Sequence, residues 1–287
     1  MRVTLSIALT FGLLVGCSGD DEPPRDPDRV VLAPADPGSE HTHATGEAGA
    51  TAGDGTVASA GGYTLTDLRL PQRAGEPGDL SFRIVDPAGK PLLSYAEEQT
   101  KLLHLYVVRN DLQEFRHLHP TLADDGTWTA RVNLAAPGSY RVLTEFTPGE
   151  DPDGRHVVLG RIDIVAGTWS PEQVTAATEG DDGLVRVTAP ETVPSGPDQR
   201  MTLTVEDADG GSPQLGTYLG TFAHLTGFDV ETGAFTHAHP YGEPEVGEDG
   251  TELSFHTELD APGRYVFFVQ VRVDGFVHTV PVATTVT

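Results

Sequence analysis

An internal repeat constrains the fold of this chain more than any other feature. The offset between corresponding residues is 120 from His104 to His224 and 125 from Ala136 to Ala261. The matched segments, in chain order, are Ser81–Asp86 with Thr202–Asp207, His117–Pro120 with His237–Pro240, Asp125–Gly126 with Asp249–Gly250, and Ala136–Val142 with Ala261–Phe267. Chance does not preserve such an order, so the repeat predicts two domains of about 100 residues each, a common domain size.

Each repeat is a series of short strand-like runs. The runs alternate apolar and polar residues, are rich in Val, Leu, Thr and Phe, and end at Pro-Gly, Asp-Gly or Asn-Asp turns. In the first repeat they are Leu80–Val85, Leu102–Val108, Thr127–Leu134, Ser139–Phe146 and His156–Val165. No stretch shows helical spacing over three turns, and the pattern is typical of a sandwich or barrel. We predict an all-β protein, with domains at residues 63–166 and 183–287 and a polar linker at residues 167–182.

The N-terminus predicts export. Arg2 precedes a short apolar run, Thr4–Val15, which is typical of a signal peptide over residues 1–16. The sequence Leu14-Val15-Gly16-Cys17 resembles the bacterial lipobox, and this resemblance implies that Cys17 is acylated and anchors the chain to the outer face of the cell membrane. Residues 17–62 are rich in Pro, Gly and acidic residues without a hydrophobic period, so we predict a disordered tether there.

Charge and cysteine content exclude several classes of partner and site. The formal net charge of −25 argues against nucleic acid and against an anionic lipid surface, because both require clustered Lys and Arg. Cys17 is the single cysteine and is assigned to the lipid. No disulfide is therefore expected, and a cysteine-ligated zinc site and a blue-copper site are excluded.

Eight of the eleven histidines belong to the repeat. Each set has the spacing His-x₁₂-His-x-His-Pro, followed by a later histidine. The first set is His104, His117, His119 and His156, and the second is His224, His237, His239 and His278. Residues two apart on a strand point to the same face, so the two histidines of each His-x-His pair project together.

The turn between the first histidine and the pair decides whether three rings converge. A two-residue turn at Asn110-Asp111 would set His104 opposite His117, whereas a four-residue turn would set it opposite His119. Both alternatives place all three rings on one face, and a three-residue turn would break the cluster. The same arithmetic applies to the second set, where Gly233 suits a left-handed position in the longer turn.

Three convergent neutral imidazoles are suited to Cu²⁺ or Zn²⁺. We predict that all eight histidines are metal ligands, with His156 or His278, or water, completing each shell. Nitrogen sites favour Cu²⁺ within the divalent series, so copper is the first choice and zinc the second. The predicted function is metal buffering or relay at the cell surface.

The histidine motifs also carry a resemblance. His117–Pro120, with Lys101–Val108 before it and Leu219–Leu225 at the matching place in the second repeat, resembles secreted bacterial domains of the immunoglobulin-like or YtkA-like type. The resemblance implies immunoglobulin-like sandwiches and an association with copper or heavy-metal handling. CopC-type copper carriers use an N-terminal histidine of the mature chain, and here Cys17 occupies that place.

Two other functions fit the same residues. The first is a metal-free interaction module in which the histidines only brace hairpins. The second is a cupin-like metalloenzyme, which would need a carboxylate after the His-x-His pair, such as Glu243 in the second repeat or Asp124 or Asp125 in the first. Since no nucleophilic triad or phosphate-binding loop is present in the sequence, we expect no enzyme.

Overall fold

The described part of the chain is built of β-strands. A computed structural model describes residues 49–149, 154–171 and 173–287, and no helix occurs in these ranges. Accordingly, the described ranges contain no helix long and apolar enough to cross a membrane. The predicted signal peptide, the predicted lipidation site at Cys17 and residues 17–48 of the predicted tether lie outside the described residues.

The strands divide between two domains. In the first domain they are β1 (Gly49–Ala52), β2 (Ser59–Ala60), β3 (Tyr63–Arg69), β4 (Pro77–Val85), β5 (Tyr95–Ala96), β6 (His104–Arg109), β7 (Phe115–Leu118), β8 (Thr121–Leu122), β9 (Thr127–Asn133), β10 (Gly138–Pro148) and β11 (Arg155–Val165). In the second they are β12 (Glu179–Asp181), β13 (Val185–Thr188), β14 (Thr192–Val193), β15 (Gly196–Asp207), β16 (Leu215–Gly216), β17 (Ala223–Asp229), β18 (Phe235–Ala238), β19 (Glu245–Val246), β20 (Thr251–Leu259), β21 (Gly263–Val273) and β22 (Phe276–Val286).

Each domain is a sandwich of two sheets. In the first domain the inner sheet, which faces the other domain, has the order β1-β11-β10-β6-β7 with β5 on β10, and the outer sheet has the order β2-β3-β4-β9-β8. Phe82 and Trp128 from the outer sheet pack in one core with Tyr140 from the inner sheet. The second domain repeats the plan, with inner order β14-β22-β21-β17-β18, β16 on β21, and outer order β12-β13-β15-β20-β19. The predicted all-β tandem sandwich is confirmed.

The two inner sheets pack against each other and form a third core. Strands β6 and β17 are buried on both faces, because one face lines its own sandwich and the other meets the partner domain. Phe115 of β7 stacks on Phe268 of β21 with ring centroids 4.3 Å apart. The buried members of this interdomain core are Tyr106, Val108, Leu112, Phe115, Leu143, Phe228, Val266, Phe268 and Ala283. The two sandwiches thus belong to one compact unit.

Ordered structure begins before the predicted domain boundary at residue 63. Strand β1 pairs in parallel with β11, and β2 pairs with β3. These short strands are held by backbone hydrogen bonds and close glycine contacts, which need no apolar period, so the composition of the segment did not indicate them. The segment also reaches the second domain, where Asp54 O accepts a hydrogen bond from Phe235 N at 2.8 Å. Strand β12 likewise lies inside the predicted linker and pairs with β13.

Gly160 allows this segment to approach β11, and replacing it should displace the segment. A Cβ at position 160 would lie 1.7 Å from Gly55 O, and Gly160 N donates to Val57 O at 2.8 Å. We expect Gly160→Ala to cost about 1–3 kcal/mol of unfolding free energy, as overpacking does, and to speed amide exchange in residues 53–57. Gly216→Ala is the matched control, since its added Cβ meets nothing closer than 3.4 Å. Unchanged exchange at residues 53–57 would contradict this account.

Candidate metal centre

The hairpins that present the histidines use the longer of the two predicted turns. Leu105 pairs with Leu118 and Tyr106 with His117, and this register sets His104 opposite His119 across a four-residue turn at 110–113. In the second domain Thr226 pairs with His237, the turn spans 230–233, and Gly233 adopts a φ of +73°. The four-residue alternative is therefore correct in both copies, and the left-handed position of Gly233 is confirmed.

The first triad is His104, His117 and His119. His104 Nδ1 lies 2.9 Å from His117 Nε2, and the His119 ring centroid lies 5.1 Å from that of His104 and 4.8 Å from that of His117. The candidate ligand nitrogens of the triad all lie within 4.8 Å of one another. Such a group can hold a metal ion.

The second triad is His224, His237 and His239, and it has the same arrangement. His224 Nδ1 lies 3.1 Å from His239 Nε2 and 3.4 Å from His237 Nε2. Two imidazole nitrogens bound to one tetrahedral ion at about 2.0–2.1 Å would be about 3.3–3.4 Å apart. The nitrogen spacing of the second triad is close to what an ion requires.

The two triads meet across the interdomain interface. Ring centroids of His117 and His224 are 5.6 Å apart, those of His104 and His237 are 6.2 Å apart, and those of His104 and His224 are 6.5 Å apart. The six rings form one continuous cluster, which we call the six-histidine centre. The sequence left open whether the triads are separate, and the packing of the inner sheets brings them together.

Backbone carbonyls fix the tautomer of the first histidine in each triad. His104 Nε2 lies 3.2 Å from Glu98 O, and His224 Nε2 lies 3.1 Å from Tyr218 O. A carbonyl oxygen only accepts hydrogen bonds, so each ring donates from Nε2 and keeps a lone pair on Nδ1. Both carbonyls belong to matching tight turns, at 98–101 and 218–221, whose two central residues have positive φ.

The second histidine of each triad is held by the opposite domain. His237 Nδ1 lies 2.9 Å from Glu145 Oε2, and His117 Nδ1 lies 2.7 Å from Gln270 Oε1. The Gln270 amide nitrogen contacts Thr279 Oγ1 at 3.3 Å, which turns its oxygen towards His117. Both rings therefore donate from Nδ1, and in the neutral form of each ring the Nε2 lone pair points into its own triad. Glu145 and Gln270 thus stand where the hydrogen-bonding partners of metal-bound histidines stand.

Burial keeps most of the cluster neutral. Desolvation, reinforced by the neighbouring imidazoles, lowers the pKa of His117, His224 and His239 well below the usual value. Desolvation also lowers the pKa of His119 to about 3. Neutral imidazoles are the ligand form, so these rings need not lose a proton to bind an ion at neutral pH.

The same shifts predict that the metal-free protein is sensitive to acid. The unfolded chain takes up protons near pH 6.5, whereas the native rings do so only at lower pH, so stability is lost as the pH falls through this window. Each unit of pKa depression corresponds to about 1.4 kcal/mol. We expect the urea midpoint of metal-free protein to fall between about pH 7 and 4.5.

A variant with the His-x-His pairs removed is the control for this acid effect. It carries Ala at His117, His119, His237 and His239, and it should lose most of the pH dependence. His156 does not mask the effect. Its pKa is raised from 6.5 to about 10, so its stabilising contribution is fully present in acid and is lost only as the pH rises towards 10. If the urea midpoint fell with pH equally steeply in the two proteins, the histidines would not be the origin of the acid sensitivity.

His156 lies beside the centre as a cation. Its Nε2 contacts Glu145 Oε1 at 2.9 Å and its Nδ1 contacts Glu98 Oε2 at 3.1 Å. Burial opposes its charge, but the hydrogen bonds and charges of these two carboxylates outweigh burial and raise its pKa to about 10. With both nitrogens protonated, His156 orders Glu145 and offers no lone pair to an ion.

His278 lies away from the six-histidine centre. It pairs with Val271, which points into the core of the second sandwich, and its Nδ1 contacts Asp182 Oδ2 at 2.8 Å. His156 and His278, the later histidine of each set, are one residue apart in the strand register. Val157 is the true counterpart of His278, and an offset of one residue puts the two histidines on opposite faces of their sheets.

The carboxylates considered for a cupin-like site lie elsewhere. Glu243 and Asp124 are exposed, and Asp125 pairs with Arg83 at 2.6 Å. Among the described residues, the groups able to hold an ion are the two histidine triads, which contain no carboxylate.

Sequence reasoning missed the outer partners Glu145 and Gln270. Both are buried polar residues within long apolar strands, at matching positions of β10 and β21. Since a buried polar side chain requires a partner, their position in these runs was the signal that could have revealed them.

Fold and site together define a two-domain β-sandwich protein with a partly buried histidine cluster between its domains. A family model described as "Domain of unknown function (DUF8832)" matches residues 56–158 and 177–287. The chain belongs to this family and contains its domain twice, once in each sandwich. No curated protein matches the chain.

Several solved structures are similar to this chain at low sequence identity. They include invasin, a bacterial integrin-binding protein, at 17% identity over 78% of this chain and 39% of that one, with a TM-score of 0.22. InvD of Yersinia pseudotuberculosis has 12% identity over 79% and 57%, with a TM-score of 0.24. The fibronectin(III)-like modules of Clostridium thermocellum CbhA have 14% identity over 78% and 93%, with a TM-score of 0.20. The chain spans less than two thirds of the length of the first two structures.

Proposed function

We propose that this protein binds two transition-metal ions, one in each triad of the six-histidine centre. The observation that supports this most strongly is the set of lone pairs in the second triad. Glu145 and the Tyr218 carbonyl can only accept hydrogen bonds, so in the neutral rings His237 Nε2 and His224 Nδ1 would face each other with lone pairs 3.4 Å apart. A cation between them converts this repulsion into coordination.

The first triad supports the same conclusion. His104 Nδ1 and His117 Nε2 face each other at 2.9 Å while their other nitrogens donate to oxygen atoms. Within the described residues, His119 Nε2 is buried and has no hydrogen-bond partner. Buried polar atoms are normally satisfied, so this nitrogen is suited to a bound ion.

Copper is the metal that we propose, with zinc as the alternative. All six candidate ligands are imidazole nitrogens, which suit both ions, and the divalent series favours Cu²⁺ at such sites. The resemblance of the His-x-His-Pro motif to domains associated with copper handling agrees with this choice. We further propose that the chain is an exported lipoprotein, anchored through Cys17, that buffers or relays the metal at the outer face of the cell membrane.

Calorimetric titration with Cu²⁺ and Zn²⁺ tests this function. The protein would be the full chain with Cys17→Ser to prevent lipidation. We expect about two equivalents of tightly bound ion, and loss of binding when His117, His119, His237 and His239 are changed to Ala in a variant that keeps its circular dichroism spectrum. Binding no tighter than about 1 mM, or about −4 kcal/mol, would reject the proposal and favour a metal-free interaction module.

A further inference from the structure

We infer that the two triads are unequal, and that the second triad (His224, His237 and His239) binds its ion first and more tightly. This inference rests on the proposed metal-binding function and concerns the order of loading. Its basis is a difference of one charge between two equivalent outer partners, Glu145 and Gln270.

The two outer partners occupy the same place in the repeat. Glu145 on β10 pairs with His104 on β6, and Gln270 on β21 pairs with His224 on β17. Each crosses the interface to the Nδ1 of the opposite domain's second histidine, at 2.9 Å for Glu145 and 2.7 Å for Gln270. The chain thus contains a natural matched pair in which a carboxylate supports one triad and a neutral amide supports the other.

The surroundings of Glu145 keep it ionised. Although Glu145 is buried, its carboxylate accepts hydrogen bonds from Tyr106 Oη at 2.7 Å, from His156 Nε2 at 2.9 Å and from His237. Glu98 contacts the far side of His156, so the group of Glu98, His156 and Glu145 has a net charge of −1.

Among the residues that the structure describes, no such acidic group supports Gln270. Its amide nitrogen contacts the neutral Thr279. The position that corresponds to Glu98 in the second repeat is Tyr218, and the position that corresponds to His156 is Val277, which pairs with Arg272. Within the described part of the chain, the acidic network therefore exists on one side of the centre only.

A carboxylate behind a metal-bound histidine strengthens that ligand. It accepts the ring N–H, raises the basicity of the other nitrogen and adds negative charge near the ion, in a buried setting where charge is weakly screened. Replacing such a partner typically costs about 10–100-fold in metal affinity. We therefore expect the second triad to bind Cu²⁺ about 10–100-fold more tightly than the first.

Two single-triad proteins measure this difference. His117→Ala with His119→Ala leaves only the second triad, and His237→Ala with His239→Ala leaves only the first. Dissociation constants for Cu²⁺ would be measured in the full chain by competition with a chelator of known affinity. The second-triad protein should bind more tightly by the factor given above, and equal affinities would overturn the inference.

Exchange of the partner residues shows whether Glu145 causes the difference. In the second-triad protein, Glu145→Gln should weaken Cu²⁺ binding about 10–100-fold, and in the first-triad protein Gln270→Glu should strengthen it. Glu145→Gln should have a smaller effect in the first-triad protein, because Glu145 accepts hydrogen bonds from Tyr106, His156 and His237, none of which belongs to that triad. If Glu145 had a purely structural role, Glu145→Gln would weaken Cu²⁺ binding equally in both single-triad proteins, and that result would refute the inference.

The outcomes separate the two proposals. If neither single-triad protein binds Cu²⁺ and the unaltered protein does not bind it either, the proposed function fails. If both bind with the same affinity and the partner exchanges change nothing, metal binding stands and the inferred order of loading fails.

Discussion

Saturation with two metal ions is expected to raise the midpoint of thermal unfolding by about 10–20 °C. An ion that binds only the native protein, at about 100 times its dissociation constant, adds about 2.7 kcal/mol per site, or about 5 kcal/mol for both triads. For a domain of about 150–250 residues, each kcal/mol shifts the midpoint by about 2–4 °C. The effect is large because the ligands come from hairpins on both sides of the interdomain core, so unfolding either sandwich releases an ion.

Thermal melts with Cu²⁺, Zn²⁺ and Mg²⁺ would measure this shift. Magnesium prefers oxygen ligands and should leave the midpoint unchanged. The variant with Ala at His117, His119, His237 and His239 should not respond to any of the three ions. A midpoint that stays constant with Cu²⁺ and Zn²⁺ would be incompatible with two buried sites.

The second large effect is expected from Glu145→Ala, which should lower the free energy of unfolding of the metal-free protein by about 3–5 kcal/mol. Removing one member of a buried ion pair leaves the other member uncompensated, and such changes typically cost this amount. Here the cation of His156 would keep only Glu98 as its partner, the N–H of His237 would lose its carboxylate, and the hydroxyl of Tyr106 would lose its acceptor.

Gln270→Ala is the matched control for Glu145→Ala. It removes a neutral partner at the equivalent position and leaves a donor unsatisfied, which typically costs about 1–3 kcal/mol. Chemical denaturation of both variants without metal would compare them. Equal losses of stability in the two variants would contradict this account, since burial and position are alike whereas Glu145 carries the charge and the larger set of hydrogen-bonding partners.

The sequence was sufficient to predict the architecture within each domain. Turn residues and strand-like runs occur in the same order in both repeats. Strands that alternate apolar and polar residues pair into sheets, and the apolar faces of two such sheets form one core. It was not sufficient to fix the hairpin register, because Asn110-Asp111 suits a two-residue turn as well as a longer one. The backbone N–H of Gln113 donates to Asp111 in the longer turn, a contact that is visible only once the loop has formed.

The meeting of the two triads could not be predicted from spacing. Spacing along the chain determines which residues share a strand face, but it does not determine how two sandwiches pack. Strands β6 and β17 gave an indication: apart from the terminal Arg109 and Asp229, residues on both faces are apolar or uncharged, as expected for a sheet covered on both sides. His156 and His278 lie on opposite faces of their sheets because their positions in the repeat differ by one residue, and no sequence motif indicates this difference.

The position of the metal is the most direct test of the central claim. Crystals grown with Cu²⁺ or Zn²⁺ would be measured at the absorption edge of the metal, and anomalous scattering would locate the ions. The account predicts two peaks between the domains, each about 2.0–2.1 Å from three histidine nitrogens, with Nδ1 ligating from His104 and His224. Peaks confined to surface carboxylates, with none inside the six-histidine centre, would contradict it.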